Sequence, residues 1–109
     1  MLETKIYIGM NDKRTLEQTL DNDKYISILK RVCHHYHVPF SFTLSNGGYF
    51  MDNEEYVEEQ SLILSLIDVD EHTINEIAKD LCVFFNQESV LITENAIHSY
   101  YVREELPDV

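Results

Sequence analysis

The stretch from Asp68 to Ile92 constrains the fold more than any other, because it reads as strand end, helix, turn and strand in one short run. Asp70 stands where a side-chain oxygen can accept from the orphan N–H groups of a helix start. Behind it, Ile74, Ile77, Ala78, Leu81 and Phe85 fall on one helical face. Asn86-Gln87-Glu88 halts that pattern, and Ser89-Val90-Leu91-Ile92 then reads as a buried strand. An amphipathic helix joined to such a strand needs a surface to bury its stripe, which the rest of the chain must supply.

The other segments supply it. Lys5 and Tyr7 alternate with Ile6, Ile8 and Met10 over Glu3 to Met10, the period of a strand, and Gly9 marks a bulge or a close backbone approach. After a loop, Asp21-Asn22-Asp23 offers cap oxygens to a second helix with its stripe at Tyr25, Ile28, Leu29, Val32, Cys33 and Tyr36. Pro39 ends that segment. Phe40, Phe42 and Leu44 alternate with Ser41, Thr43 and Ser45 in a half-buried strand. Ser45-Asn46-Gly47-Gly48 fits a tight turn or a bulge; the bulge is preferred, because Asp52-Asn53-Glu54-Glu55 supplies a turn further on. Gln60 to Ile67 is apolar on both faces and reads as a central, covered strand. Ala96 to Val102 is expected to continue the last strand after a kink at Glu94-Asn95. The order strand, helix, strand, strand, helix, strand is that of the ferredoxin-like α+β fold, an antiparallel sheet with both helices on one face. Residues 1–109 form one domain, with 104–109 expected to fray.

Charge narrows the partners. The chain of 109 residues carries a net −12, and the imbalance is uneven. Residues 1–31 hold six bases and five acids; residues 32–109 hold fifteen acids against Lys79 and Arg103. Direct nucleic-acid binding needs clustered Lys and Arg and is not expected. A basic protein partner fits better. No run approaches the roughly 18 apolar residues of a membrane span, and no export signal is legible, so a cytoplasmic setting is expected. Cys33 and Cys82 both fall beside helical stripes and read as inert core thiols.

Four short runs carry a family likeness. They are Ile6-Tyr7-Ile8-Gly9-Met10, Gly47-Gly48-Tyr49, the Val-x-Glu-x-Ser step Val57-Glu58-Glu59-Gln60-Ser61, and Gln87-Glu88-Ser89-Val90-Leu91. In these the chain resembles a bacterial family of small ferredoxin-like proteins known only as a domain of unknown function. The resemblance implies the fold and no activity. Gln60 stands where the family usually has Pro, and Leu62 where it has a basic residue.

Three groups of residues are candidates for chemistry. Asp52, Glu54, Glu55, Glu58 and Glu59 lack the spacing of a calcium loop. They read either as a solvated acidic turn or, joined to Asp70, Glu71, Glu76 and Asp80, as a surface imitating nucleic acid. On the latter reading the chain is a non-catalytic module, of the kind a phage uses to mask a basic nucleic-acid-binding site. The alternative is a small-molecule-binding protein or small enzyme using the open sheet face, with Tyr7, Gln87, Glu88 and Ser89 as its ligand site and a homodimer closing it. Glu88 would be a general base there, or Gln87 and Ser89 would only satisfy the last helical carbonyls. His34 and His37 are three apart and could meet over zinc, but no CxxC or HExxH spacing supports them, so no metal or other cofactor is expected.

Overall fold

The computed structural model, which describes residues 1–105, runs β1 (Leu2–Gly9), α1 (Asn22–His35), β2 (Ser41–Phe50), β3 (Tyr56–Ile67), α2 (Glu71–Phe84) and β4 (Leu91–Ala96). The strands form one antiparallel sheet in the order β2-β3-β1-β4. This is the ferredoxin-like arrangement that the sequence predicts. Of the tail, Glu104 and Glu105 are exposed and outside any regular element; residues 106–109 lie outside the described residues. Among the described residues no helix is long and apolar enough to cross a membrane.

Both helices start where an aspartate can cap them. Asp21 accepts from the Lys24 N–H at 3.1 Å, and Asp70 accepts from the Thr73 N–H at 2.9 Å and from its hydroxyl at 2.8 Å. Hydrogen bonds from the Thr73 N–H and hydroxyl hold the Asp70 carboxyl below its ordinary value. The stripe of α2 is buried as spaced: Ile74, Ile77, Ala78 and Leu81, with Phe85 just past the helix end. In α1, Tyr25, Leu29, Val32 and Cys33 are buried, while Ile28 and Tyr36 pack at the margin.

These stripes meet one face of the sheet. Ile6 is level with Leu64 of β3 and Ile92 of β4, and Ile8 with Leu62. Ile6, Ile8, Leu62, Leu64 and Leu66 are wholly buried in one cluster with both helices. The Tyr25 ring lies 5.0 Å from Phe85, joining the start of α1 to the end of α2.

Three local expectations are corrected. There is no bulge at Gly47-Gly48: β2 stays in register from Ser41–Ser65 to Phe50–Tyr56, with Gly47 opposite Glu59 and Gly48 opposite Glu58. Neither glycine has positive φ. Gly48 instead leaves room for the Tyr56 side chain, which occupies the space a Cβ would take. The last strand does not kink at Glu94-Asn95, which pair with Thr4 and Glu3, and it does not extend to Val102. It ends at Ala96 opposite Leu2, with the Ile97 N–H still donating to the Met1 carbonyl at 2.9 Å. Ser89 and Val90 stay off the ladder, and Leu91, where β4 begins, is exposed rather than buried.

The β2–β3 hairpin outruns the sheet. Pairing of β3 with β1 stops at Ser61–Gly9, whereas five further β2–β3 pairs, Asn46–Gln60 to Phe50–Tyr56, project beyond it. The Met10 N–H still donates to the Gln60 carbonyl at 3.0 Å. The predicted turn at Asp52–Glu55 closes the hairpin, with Glu54 left-handed (φ 67°) and its N–H on the Met51 carbonyl.

Side-chain parity on β3 is directly testable. Leu64→Ala opens a cavity under both helices and should cost about 2–5 kcal/mol in denaturant unfolding. Ser65→Ala, one residue along on the open face, should stay within about 0.5 kcal/mol. Equal losses would contradict the register.

Candidate functional site

The helix-free face of the sheet is mixed rather than apolar. Across its middle runs a row of Ile63, Tyr7 and Leu91, with Tyr7 and Ile63 half-buried and Leu91 62% exposed. Below that row Lys5 stands between Ser65 and Thr93 and pairs with Glu3 at 4.0 Å. Above it come Ser45 and Ser61, then Gly9.

Glu59 belongs to this upper region. Parity places it on the open face opposite Gly47, and its carboxylate leans over Gly9. A Cβ on Gly9 would stand 2.5 Å from Glu59 Oε2 and 2.8 Å from Oε1, so only glycine leaves room for the carboxylate there. The Asn11 N–H donates to Oε2 at 3.0 Å. Among the described residues that the ladder places on this face from the Tyr7 row upward, Glu59 is the one carrying charge.

Asn11 is one of two buried polar residues among the described residues, and its hydrogen-bonding groups are used in three directions. Its N–H holds Glu59, its Nδ2 donates to the Glu58 carbonyl at 3.0 Å, and its own carbonyl accepts from Gln87 Nε2. Gln87 also donates to the Phe85 carbonyl at 3.3 Å, so it does satisfy a carbonyl left free at the end of α2. Asn86 Nδ2 donates to the Asp12 carboxylate, and the Lys13 N–H to the Asn86 carbonyl at 3.2 Å. The hydrogen bond from Asn86 first, then the Arg14 N–H, hold the Asp12 carboxyl below its ordinary value. The strap after β1 and the turn after α2 are thus laced together beside Glu59.

Of the ligand-site candidates, Tyr7 stands on the open face and Gln87 at its upper edge, committed to Asn11; Glu88 and Ser89 follow on the same turn and are exposed. Sequence reasoning grouped Glu59 with the other acids and missed its separate place. Two signals could have found it: it is the glutamate of the Val-x-Glu-x-Ser step, and Gly9 already called for a close approach.

The acids do not form one surface. Asp52, Glu54 and Glu55 are exposed at the hairpin tip, and Glu58 and Glu59 point to opposite faces of β3. Asp70 and Glu71 begin α2 beyond the other end of β3, about 40 Å away at the rise of a strand of this length. Glu76 pairs with Lys79 at 3.6 Å, and Asp80 accepts from the Tyr36 hydroxyl at 2.7 Å. A polar cleft of about 540 Å³ opens beside the hairpin, lined in part by Asn11, Gln18, Asn46, Tyr56 and Glu58.

His34 is exposed near the end of α1, its ring 6.3 Å from Phe40, and His37 takes a left-handed turn (φ 54°). No group of three or more His, Cys, Asp or Glu side chains that could hold a metal ion exists among the described residues. Burial pushes the Cys33 thiol up to about 11 and also raises Cys82, which makes both poor nucleophiles at neutral pH.

No family model and no curated protein matches the chain. Solved structures do. A phage SAM lyase without ligand is similar over 86% of this chain and 78% of its own, at 21% identity and a TM-score of 0.66. The same kind of protein in complex with S-methyl-5'-thioadenosine gives 19% identity over 86% and 79%, with a TM-score of 0.64. The periplasmic divalent cation tolerance protein CutA from Archaeoglobus fulgidus matches at 12% identity over 91% and 87%, TM-score 0.57. A DUF3240 family protein from Shewanella baltica matches at 10% identity over 94% and 97%, TM-score 0.54. At these identities the likeness establishes a small ferredoxin-like fold.

The Tyr36–Asp80 bond joins α1 to α2, and it titrates. The hydrogen bond to Asp80, with burial second, raises the Tyr36 phenol from 10.0 to about 12. The folded chain therefore holds this proton more tightly than the unfolded one. Its contribution to stability is complete below pH 10 and fades as pH climbs towards 12. Tyr36→Phe should lose less stability over that window than the parent chain; equal slopes in alkaline denaturant titrations would show that the clamp does not form in solution.

Proposed function

We propose that the chain is a small enzyme that binds S-adenosylmethionine on its open sheet face and releases S-methyl-5'-thioadenosine as a lyase. The observation that carries this reading is the carboxylate of Glu59, held over Gly9 above an apolar row of Tyr7, Ile63 and Leu91. The likeness to the phage SAM lyase, in two states, supports it. Among the described residues the ladder places no base on this face from the Tyr7 row upward, which suits a cation with a flat apolar group better than a phosphate.

The charges assign the roles. Cleaving the bond between sulfur and the ligand's side chain discharges the sulfonium. A carboxylate beside that sulfur would stabilise the reactant more than the transition state and slow the step. Glu59 instead serves the ammonium group or the ribose hydroxyls, as an anchor. The apolar row receives the sulfonium, where removal from water favours a step that annihilates charge. The ligand's own carboxylate oxygen bonds to Cγ, the Cγ–S bond breaks, and its electron pair stays on sulfur. A cyclic ester and neutral S-methyl-5'-thioadenosine result, with no water consumed and no protein proton moved. Tyr7 is a binding residue in this scheme, and Glu88 is not needed as a base. A second copy closing the open face remains part of the proposal.

A second reading rests on the hairpin tip. There Asp52, Glu54 and Glu55 are exposed next to Phe50 (72% exposed) and Tyr56 (55%), whose rings lie 5.2 Å apart. Acids around apolar rings suit a basic protein surface, and such a tip would act as a non-catalytic mask of a nucleic-acid-binding site. Neutralising the three acids should weaken a complex of this kind and remove its salt dependence. A complex indifferent to both changes would sink this reading.

For the lyase, incubation with S-adenosylmethionine should yield S-methyl-5'-thioadenosine by chromatography, and Glu59→Ala should lower kcat/KM by about 100-fold. Release no faster than without protein, together with no saturable binding of S-methyl-5'-thioadenosine, would overturn it.

A further inference from the structure

We infer that Gly9 and Asn11 are the positioning residues of Glu59, and that Asn11 ties its carboxylate to the Gln87 turn. The inference rests on the reading of Glu59 as the ligand's anchor and adds what holds it in place. A glutamate on an open sheet face ordinarily samples several rotamers in water, at a cost to any ligand that needs one of them. Here two features select one. Gly9 leaves a hollow that fits the carboxylate, whose three terminal atoms all lie within 2.8 Å of where a Cβ would stand. The Asn11 N–H then marks where Oε2 must sit, at 3.0 Å.

Asn11 is itself over-determined. Its side chain reaches across to the Glu58 carbonyl, next to the residue that it positions, so it cannot shift without breaking a bond to the same strand. Its carbonyl takes the Gln87 amide, which fastens the strap after β1 to the turn before β4. Displacing that turn would therefore move the peptide unit following Asn11 and, through it, the N–H that holds Glu59. The carboxylate and the Gln87-Glu88-Ser89 turn are parts of one hydrogen-bonded unit, joined through Asn11.

Gly9→Ala separates this role from folding. Gly9 has no positive φ, and the atoms in the way of a new Cβ belong to the flexible end of Glu59. The side chain can swing out while the backbone stays. In the ligand-free protein, the Asn11 amide proton should then exchange with solvent about 10-fold faster or more, as its acceptor leaves. The melting temperature should move by only a few degrees. The kcat/KM for release of S-methyl-5'-thioadenosine should fall roughly 10- to 100-fold. Combined with Glu59→Ala, which removes the acceptor outright, Gly9→Ala should change neither quantity by more than about 2-fold. Gln87→Leu should speed exchange of the same amide with Glu59 intact.

Unchanged Asn11 exchange in Gly9→Ala would overturn the proposal, as would an equal loss of kcat/KM in the Glu59→Ala background, since the methyl would then be obstructing the ligand. Should none of the proteins release S-methyl-5'-thioadenosine, the lyase reading fails alone, and the exchange measurements still decide whether Gly9 and Asn11 position the carboxylate.

Discussion

The structure depends on the register between β1 and β3. Ile6 faces Leu64 and Ile8 faces Leu62, wholly buried under both helices, and the odd-numbered residues of both strands therefore face away. A slip by one residue would turn one strand's half of this core outward and bring the alternate residues of that strand, Lys5 on β1 or Glu59 on β3, to the helix side. The same ladder that makes the core thus delivers Glu59, Tyr7 and Gly9 to the open face. Fold and candidate site are two sides of one pairing.

Much of this was legible residue by residue. Asp21 and Asp70 announce the helix starts, and the spacing from Ile74 to Phe85 announces the buried stripe, because caps and periodicity are local physics. Hairpin closure at Asp52–Glu55 is local as well. Less legible was whatever depended on the end of a partner. β4 stops at Ala96, opposite Leu2, the first residue of β1, and no feature of Ala96 to Val102 records that. The glycines at 47 and 48 mimic a bulge in sequence, yet the demand on Gly48 comes from Tyr56 across the hairpin. Glu59 was hidden for a similar reason. As one of several neighbouring acids it reads as solvated charge, and only the approach of Gly9 and Asn11 separates it from them.

The net charge reads differently once placed in space. It first favours one extended acidic surface, but β3 separates the acids of the hairpin tip from those that open α2. Several of the carboxylates have local work: Asp70 caps a helix, Asp80 holds Tyr36, Asp12 receives Asn86, and Glu59 sits on Gly9. Asp52, Glu54 and Glu55 stand exposed at the tip, while others, among them Glu71, Glu88 and Glu94, are exposed elsewhere. Total charge is a sum over roles that have little to do with one another.

That tip has a consequence for how the chain keeps to itself. Beyond Gly9, β3 pairs with no strand among the described residues on the side that β1 occupied below, so backbone groups near Tyr56 and Val57 stand where another strand could add. Asn11 and Met10 already cover the carbonyls of Glu58 and Gln60 at the inner end of this edge. Further out, Glu55 and Glu58 flank the open positions. A second hairpin approaching in the same way would bring its own carboxylates against these, and like charges directly opposed destabilise a pairing. The acids that look like bait for a basic partner also act as gatekeepers against strand addition at this free stretch of β3.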